Sequence, residues 1–129
     1  MYYERRPLQP LTSSEFEVMK AVWDGDHDLT LQEILDYCCE KYNKQWKRQT
    51  VATFLSHLIS KGVAESYRVG RYFYYKPIID EKHYKELETQ KMIDFWYKGS
   101  VAELLASLSE YDSLPKDKAA KLAELVKEL

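Results

Sequence analysis

Gln49, Thr50, Thr53 and Ser56 are short, uncharged side chains that donate or accept hydrogen bonds, and Ala52 among them offers only a methyl group. They belong to the stretch RQTVATFLSHLISKG, Arg48 to Gly62, whose apolar residues Val51, Phe54, Leu55, Leu58 and Ile59 recur at helical spacing. A helix with that apolar face turned to a core presents Gln49, Thr50, Ala52, Thr53, Ser56, His57 and Ser60 to the outside. Lys44, Lys47, Arg48 and Lys61 flank this face, and Arg68 and Arg71 follow it. A helix enters the major groove of duplex DNA only when its outward side chains permit close approach. Hydrogen bonds and methyl contacts then read base edges, while surrounding cations hold the phosphates. The expected nucleic-acid contacts are therefore Gln49, Thr50, Ala52, Thr53, Ser56 and His57 in the groove, with Lys44, Lys47, Arg48, Lys61, Arg68 and Arg71 on the backbone.

Charge along the chain agrees. The net charge of -2 over 129 residues conceals a basic block between Lys41 and Lys76, in which Glu65 is the one acidic residue, between two acidic segments. Catalytic and metal chemistry find no support. His27, His57 and His83 are far apart, without a ligand pair at i, i+4, and the four glycines form neither a phosphate loop nor a nucleophile elbow. No enzyme activity, metal or cofactor is expected. The adjacent Cys38 and Cys39 cannot staple distant segments. Apolar runs are too short to span a bilayer and MYYERRPLQP lacks a signal peptide's apolar core, so a cytoplasmic protein with no membrane insertion is expected.

The elements that must position these residues are written in local signals. Thr12-Ser13-Ser14-Glu15, Thr30-Leu31-Gln32-Glu33 and Ser100-Val101-Ala102-Glu103 are capping boxes, each a helix start. They predict a first helix over about residues 13–24 with Phe16, Met19, Val22 and Trp23 buried. A second follows over about 31–42, with Ile34, Leu35, Cys38 and Tyr42 inward. The third, about 48–61, stops at Gly62. Val63 to Val69 and Arg71 to Pro77, rich in β-branched and aromatic residues and parted by Gly70, then read as a hairpin over 63–77. Three helices followed by a hairpin is the order of a winged helix-turn-helix with the third helix in the recognition position. This unit is expected over 8–78.

Residues 79–129 read as a second, helical unit, with helices over about 80–98, 101–109 and 115–128. Its apolar faces carry Leu87, Phe95, Trp96, Val101, Leu104, Leu105, Leu108, Leu122, Leu125 and Val126. A segment of about 50 residues encloses little interior of its own, so these faces are expected to close on a second copy as a dimerisation domain. The fold class is thus mainly α with a small β-hairpin: a winged helix-turn-helix followed by a C-terminal helical dimerisation domain. A winged-helix module that docks another protein is the competing reading. Against it, the centre of the outward face is Thr, Ala, Ser and His rather than the aromatic or Arg anchors of protein hot spots.

The runs LTSSEFEVMKAVW, LTLQEIL, RQTVATFLSHLISKG, GRYFYYKPII and FWYKGSVAELLASL, in this order and with Trp46 before the third, resemble the penicillinase repressor (BlaI/MecI/CopY) family over about residues 8–129. The resemblance implies a homodimeric winged-helix repressor on a palindromic double-stranded operator, with the C-terminal helices forming the dimer. Resistance-type members are relieved by proteolysis triggered by a membrane sensor protease. Their cleaved Asn-Phe bond aligns with Ser107-Leu108, so that signal is changed here. The copper-responsive branch carries a C-terminal cysteine cluster, whereas no cysteine follows Cys39. Ala52, His57 and Ser60 stand where relatives often carry basic residues, which implies a different operator or a weaker phosphate grip.

Overall fold

The computed structural model describes residues 9–110 and 114–129, and the chain divides into two compact units, Met1–Glu81 and Lys82–Leu129. The first unit holds α1 (Ser13–Asp24), β1 (Leu29–Thr30), α2 (Leu31–Tyr42), α3 (Arg48–Ser60), β2 (Ala64–Val69) and β3 (Tyr72–Pro77). α4 (Glu81–Tyr97), α5 (Val101–Ser109) and α6 (Lys116–Lys127) follow.

Thr12 and Thr30 cap α1 and α2 as full capping boxes, each hydroxyl accepting from the backbone of Glu15 or Glu33 while that glutamate accepts from the cap. Ser100 makes half of the expected box, since its hydroxyl accepts from Glu103 N without the reciprocal bond. The three N-terminal helices pack against one another around Val18, Met19, Ile34, Cys38, Val51, Leu55 and Leu58, all essentially without exposure. The buried stripe of α1 differs from expectation. Val18, Met19, Ala21 and Val22 are inside, whereas Phe16 and Trp23 are only half-buried. α1 faces both α2 and α3 through residues 18, 19, 21 and 22, which leaves the Phe16 and Trp23 rings at the margin of the core. There the Trp23 indole N–H donates to the carbonyl of Ile79 (2.9 Å), fixing the chain beyond the sheet.

α3 ends where Gly62 takes the left-handed conformation (φ 78°). The amides of Gly62 and Val63 bond back to the carbonyls of Ile59 and Leu58, which satisfies the last turn and sends the chain into β2. β2 and β3 pair antiparallel, with Val69 opposite Tyr72 across the Gly70 turn. The hairpin becomes a three-stranded sheet of order β1-β3-β2, because Leu29 and Thr30 pair with Tyr75 and Tyr74. A third strand is not legible in the sequence pattern, since two residues are too few to display alternation.

In the second unit α5 packs against α6, and neither helix contains a buried residue. α4 ends through Lys98 and Gly99, both left-handed, with the Gly99 amide donating to Ile93 O. Phe95 and Trp96 stand edge to face and are 76% and 70% exposed, values that mark them as surface residues of the chain.

Gly25 carries the turn from α1 toward β1 for a steric reason. Its φ of -65° suits any residue, but an added Cβ would lie 2.8 Å from the backbone oxygen of His27 and 3.1 Å from the Leu29 side chain. Gly25→Ala should therefore destabilise the fold by about 1–3 kcal/mol, the usual range for overpacking. A urea midpoint equal to that of the parent would refute the close approach.

Candidate nucleic-acid interface

The polar face of α3 is held outward by its buried one. Val51, Leu55 and Leu58 anchor the helix against α1 and α2, and this leaves Gln49, Thr53, Ser56 and His57 exposed, with Thr50 and Ala52 half-buried beside them. α2 stops at Asn43, in the left-handed region (φ 53°), and the next residues turn the chain into α3. Trp46 braces this turn by packing on Phe54, ring centroids 5.1 Å apart.

Not every cation around the helix is available. Lys44 pairs with Glu17 of α1 (3.2 Å) and lies over the Trp46 ring. Arg48 donates through Nη1 to Gln32 Oε1 (2.7 Å), which links the first turn of α3 to α2. Lys61, named above as a phosphate contact, donates in the free chain to Glu15 Oε1 (2.5 Å) and to the carbonyl of Pro10 (2.8 Å). Among the described residues Lys47 and Arg71 make no ion pair or side-chain hydrogen bond. Thr53 is engaged within its own helix. Its hydroxyl donates to the carbonyl of Gln49 (3.0 Å), so the proton is spent inside the helix. What Thr53 offers outward is a methyl group and an acceptor lone pair.

Glu15 is the residue that sequence reasoning missed. It is visible as the third position of a capping box, but its partners on α3 lie 42 and 46 residues further along the chain. Its side chain is 3% exposed. Oε1 accepts from Thr12 N (3.0 Å) and Lys61, and Oε2 lies 3.1 Å from His57 Nδ1. Burial alone would push this carboxyl up. The hydrogen bonds from Lys61, Thr12 and His57 outweigh that cost and hold it below the ordinary carboxylate range.

The wing carries Arg68 and Arg71 at its tip. Arg68 donates through Nε to the carbonyl of Gly70 (2.8 Å) and lies over the Phe73 ring, so its position is set by the turn. Val69, Tyr72 and Phe73 are exposed beside it. Nearer the base, Tyr67 stacks on Tyr74 and donates to Asp28 Oδ2 (2.6 Å), which stiffens the hairpin.

Elsewhere in the first unit, Asp24 accepts from the Tyr37 hydroxyl and pairs with Lys20 and Lys41, the Tyr37 bond being the main cause of its lowered pKa. Burial pushes the Cys38 thiol up to about 11, the state of an inert core cysteine. No group of three or more His, Cys, Asp or Glu among the described residues is placed to hold a metal ion. No described helix is long and apolar enough to cross a membrane.

Of the residues expected at a dimer contact, Phe95, Trp96, Val101, Leu108 and Leu125 are exposed, while Leu87, Leu104, Leu105, Leu122 and Val126 are half-buried. Ser107 and Leu108 lie within α5, where the Ser107 hydroxyl donates to Leu104 O and lies 3.0 Å from the Tyr97 hydroxyl.

Helices α2 and α3 joined by the short link of residues 43–47, with a β2–β3 wing closed by β1, make the first unit a winged helix-turn-helix. The family profile described as penicillinase repressor matches residues 11–128, and the chain belongs to that family. It is 26% identical over 123 residues to the penicillinase repressor of Bacillus licheniformis, covering 95% of this chain and 94% of that one. It is also 26% identical over 116 residues to an uncharacterized 16.5 kDa protein encoded in the ptsI 3' region of Latilactobacillus sakei, covering 90% and 77%. The solution structure of the DNA-binding domain of the repressor BlaI is similar at a TM-score of 0.51 and 30% identity, over 59% of this chain and 89% of that one.

Glu15 makes stability depend on pH with a definite sign. Its folded pKa lies below the ordinary 4.5, so its contribution is complete above that value and lost as pH falls through the folded one. Glu15→Gln should cost about 1–3 kcal/mol near neutral pH. The gap between variant and parent should then narrow as pH falls and close only below the folded pKa of Glu15, where both carry a neutral side chain. Urea midpoints along a descending pH series measure it, and a gap that stays constant throughout would show that the carboxylate's charge contributes nothing.

Proposed function

We propose that the chain is a sequence-specific DNA-binding repressor that acts as a homodimer on a palindromic operator. α3 lies in the major groove and the β2–β3 wing on the flanking backbone. The observation that carries this reading is the face of α3 itself. Gln49, Thr53 and Ser56 are exposed, short and uncharged, and Lys47 at the start of the helix and Arg71 at the wing tip are cations without an internal partner among the described residues. Membership of the penicillinase repressor family and similarity to the DNA-binding domain of BlaI support it.

In this reading Lys47, Arg68 and Arg71 hold phosphates, and Arg48 reaches one from its bond to Gln32. Gln49, Thr50, Ala52, Thr53 and Ser56 meet base edges. Thr53 reads through its methyl group, a contact suited to the methyl of thymine. The exposed apolar side chains of α4, α5 and α6 close on a second copy, which sets two copies of α3 about one helical turn, or a small multiple, apart on one face of the duplex. Repression follows from occupying promoter DNA.

Fluorescence anisotropy with the DNA upstream of its own gene tests the reading. The duplex containing the dyad should bind at least about a thousandfold tighter than a scrambled one, with log affinity falling linearly in log salt. Equal binding to both would refute it. Arg71→Ala should weaken binding to every duplex and reduce the salt slope by about one. Thr53→Val should keep operator preference and Thr53→Ser should relax it, because only the former retains the outward methyl; the opposite order would show that the hydroxyl does the reading. Trp96→Asp lies on the surface of the chain, so the monomer should stay folded while sedimentation shows the dimer lost and operator affinity falls.

A further inference from the structure

We propose that Glu15 is a specificity-determining residue that takes the place of a DNA phosphate. Its buried carboxylate engages Lys61 and His57 of α3 and withholds the Lys61 charge from the backbone of any duplex. The inference rests on the reading of the chain as a DNA-binding protein and extends it to a residue outside the contact surface.

A carboxylate that accepts from a lysine and a histidine offers them the same pair of anionic oxygens that a phosphate would. Lys61 is engaged twice, at Glu15 Oε1 (2.5 Å) and at Pro10 O (2.8 Å), and its side chain is 19% exposed. A phosphate could recruit it only by breaking both bonds and leaving Glu15 charged and buried, a costly exchange. Glu15 cannot follow Lys61 outward, because Thr12 N holds Oε1 (3.0 Å) and Glu15 N is bonded to the Thr12 hydroxyl. His57, 3.1 Å from Oε2, has its ring oriented by the same carboxylate.

The consequence lies in discrimination. A phosphate contact strengthens binding to all sequences alike, so a further free lysine at the end of α3 would raise affinity for the wrong sites as much as for the right one. Where non-specific sites are in vast excess, the quantity that matters is the ratio of specific to non-specific affinity weighted by site frequency. Holding Lys61 internally lowers the indiscriminate part of binding and leaves sequence choice to Gln49, Thr53 and Ser56. The Lys44–Glu17 pair at the other end of the helix is more exposed, with side chains 32% and 23% accessible, and is correspondingly easier for DNA to exchange.

The test is a cycle of Glu15→Gln, Lys61→Gln and the double variant in the full chain, read by anisotropy on a scrambled duplex from low to high salt. Gln at position 15 still accepts from Thr12 N, so the capping box persists, and circular dichroism checks the fold. Glu15→Gln should bind the scrambled duplex about tenfold tighter at low salt, with a slope steeper by about one. Lys61→Gln should match the parent in affinity and slope, and the double variant should return to parental values. A Glu15→Gln slope equal to that of the parent, or a Lys61→Gln slope lower by about one, overturns the proposal. If either single variant does not fold, the double variant decides by itself, because it leaves no unpaired buried carboxylate: a slope equal to the parent's supports the withheld charge and one lower by about one refutes it. A parent chain that binds no duplex at any salt refutes the proposed function, and this inference with it, whereas a bound parent with the wrong slopes refutes only the latter.

Discussion

The seam between α3 and the two helices beneath it is the constraint on which the first unit depends. Val51, Leu55 and Leu58 are fully buried there, against Val18, Met19 and Ile34 in the same core. Burying each such side chain contributes about 1.5–3 kcal/mol, whereas an exposed ion pair contributes about 0–1. Hydrophobic burial therefore sets the rotation of α3 about its axis, and electrostatics adjusts what that rotation exposes. Because the helix repeats every 3.6 residues, anchoring 51, 55 and 58 inward turns 49, 53 and 56 outward as a matter of geometry. The polar face needs no stabilisation of its own and is free to be shaped for a partner.

Charges then sort themselves by what α1 and α2 place nearby. The basic block that stands out in the sequence is partly spent inside the fold. Lys44 meets Glu17, Lys61 meets Glu15, Lys76 meets Glu65 and Arg48 meets Gln32. The acidic residues of α1, which counted toward a separate acidic segment, are the partners of two of these cations. What survives at the surface is a smaller set, Lys47 and Arg71, with Arg68 placed by the hairpin turn.

The second unit obeys the opposite rule. α5 and α6 pack on each other without burying a single residue, and Phe95, Trp96, Val101, Leu108, Leu125 and Leu129 remain open. A small helical segment has too much surface for its volume to hide three apolar faces alone. Its exposed rings are large and contiguous in α4, unlike the scattered apolar residues of an ordinary surface.

What could be read directly from the residues was whatever depends on neighbours within a turn or two. The capping boxes at Thr12 and Thr30, the stop at Gly62 and the period of α3 involve interactions over three to five residues, and the helices begin and end within a residue or two of their signals. The outward face of α3 was legible for the same reason. Distant partners were not. β1 is two residues long and exists because Tyr74 and Tyr75 supply its hydrogen bonds. Phe16 and Trp23 are only half-buried because packing against α2 and α3 turns residues 18, 19, 21 and 22 inward and leaves those rings at the edge. Lys61 changed from a free cation to an engaged one because folding brings Glu15, 46 residues earlier, to within 2.5 Å. Periodicity and capping are local and so are fixed by order along the chain. Which charge meets which is decided only when the helices pack, because a buried carboxylate takes whatever donors the tertiary structure brings to it.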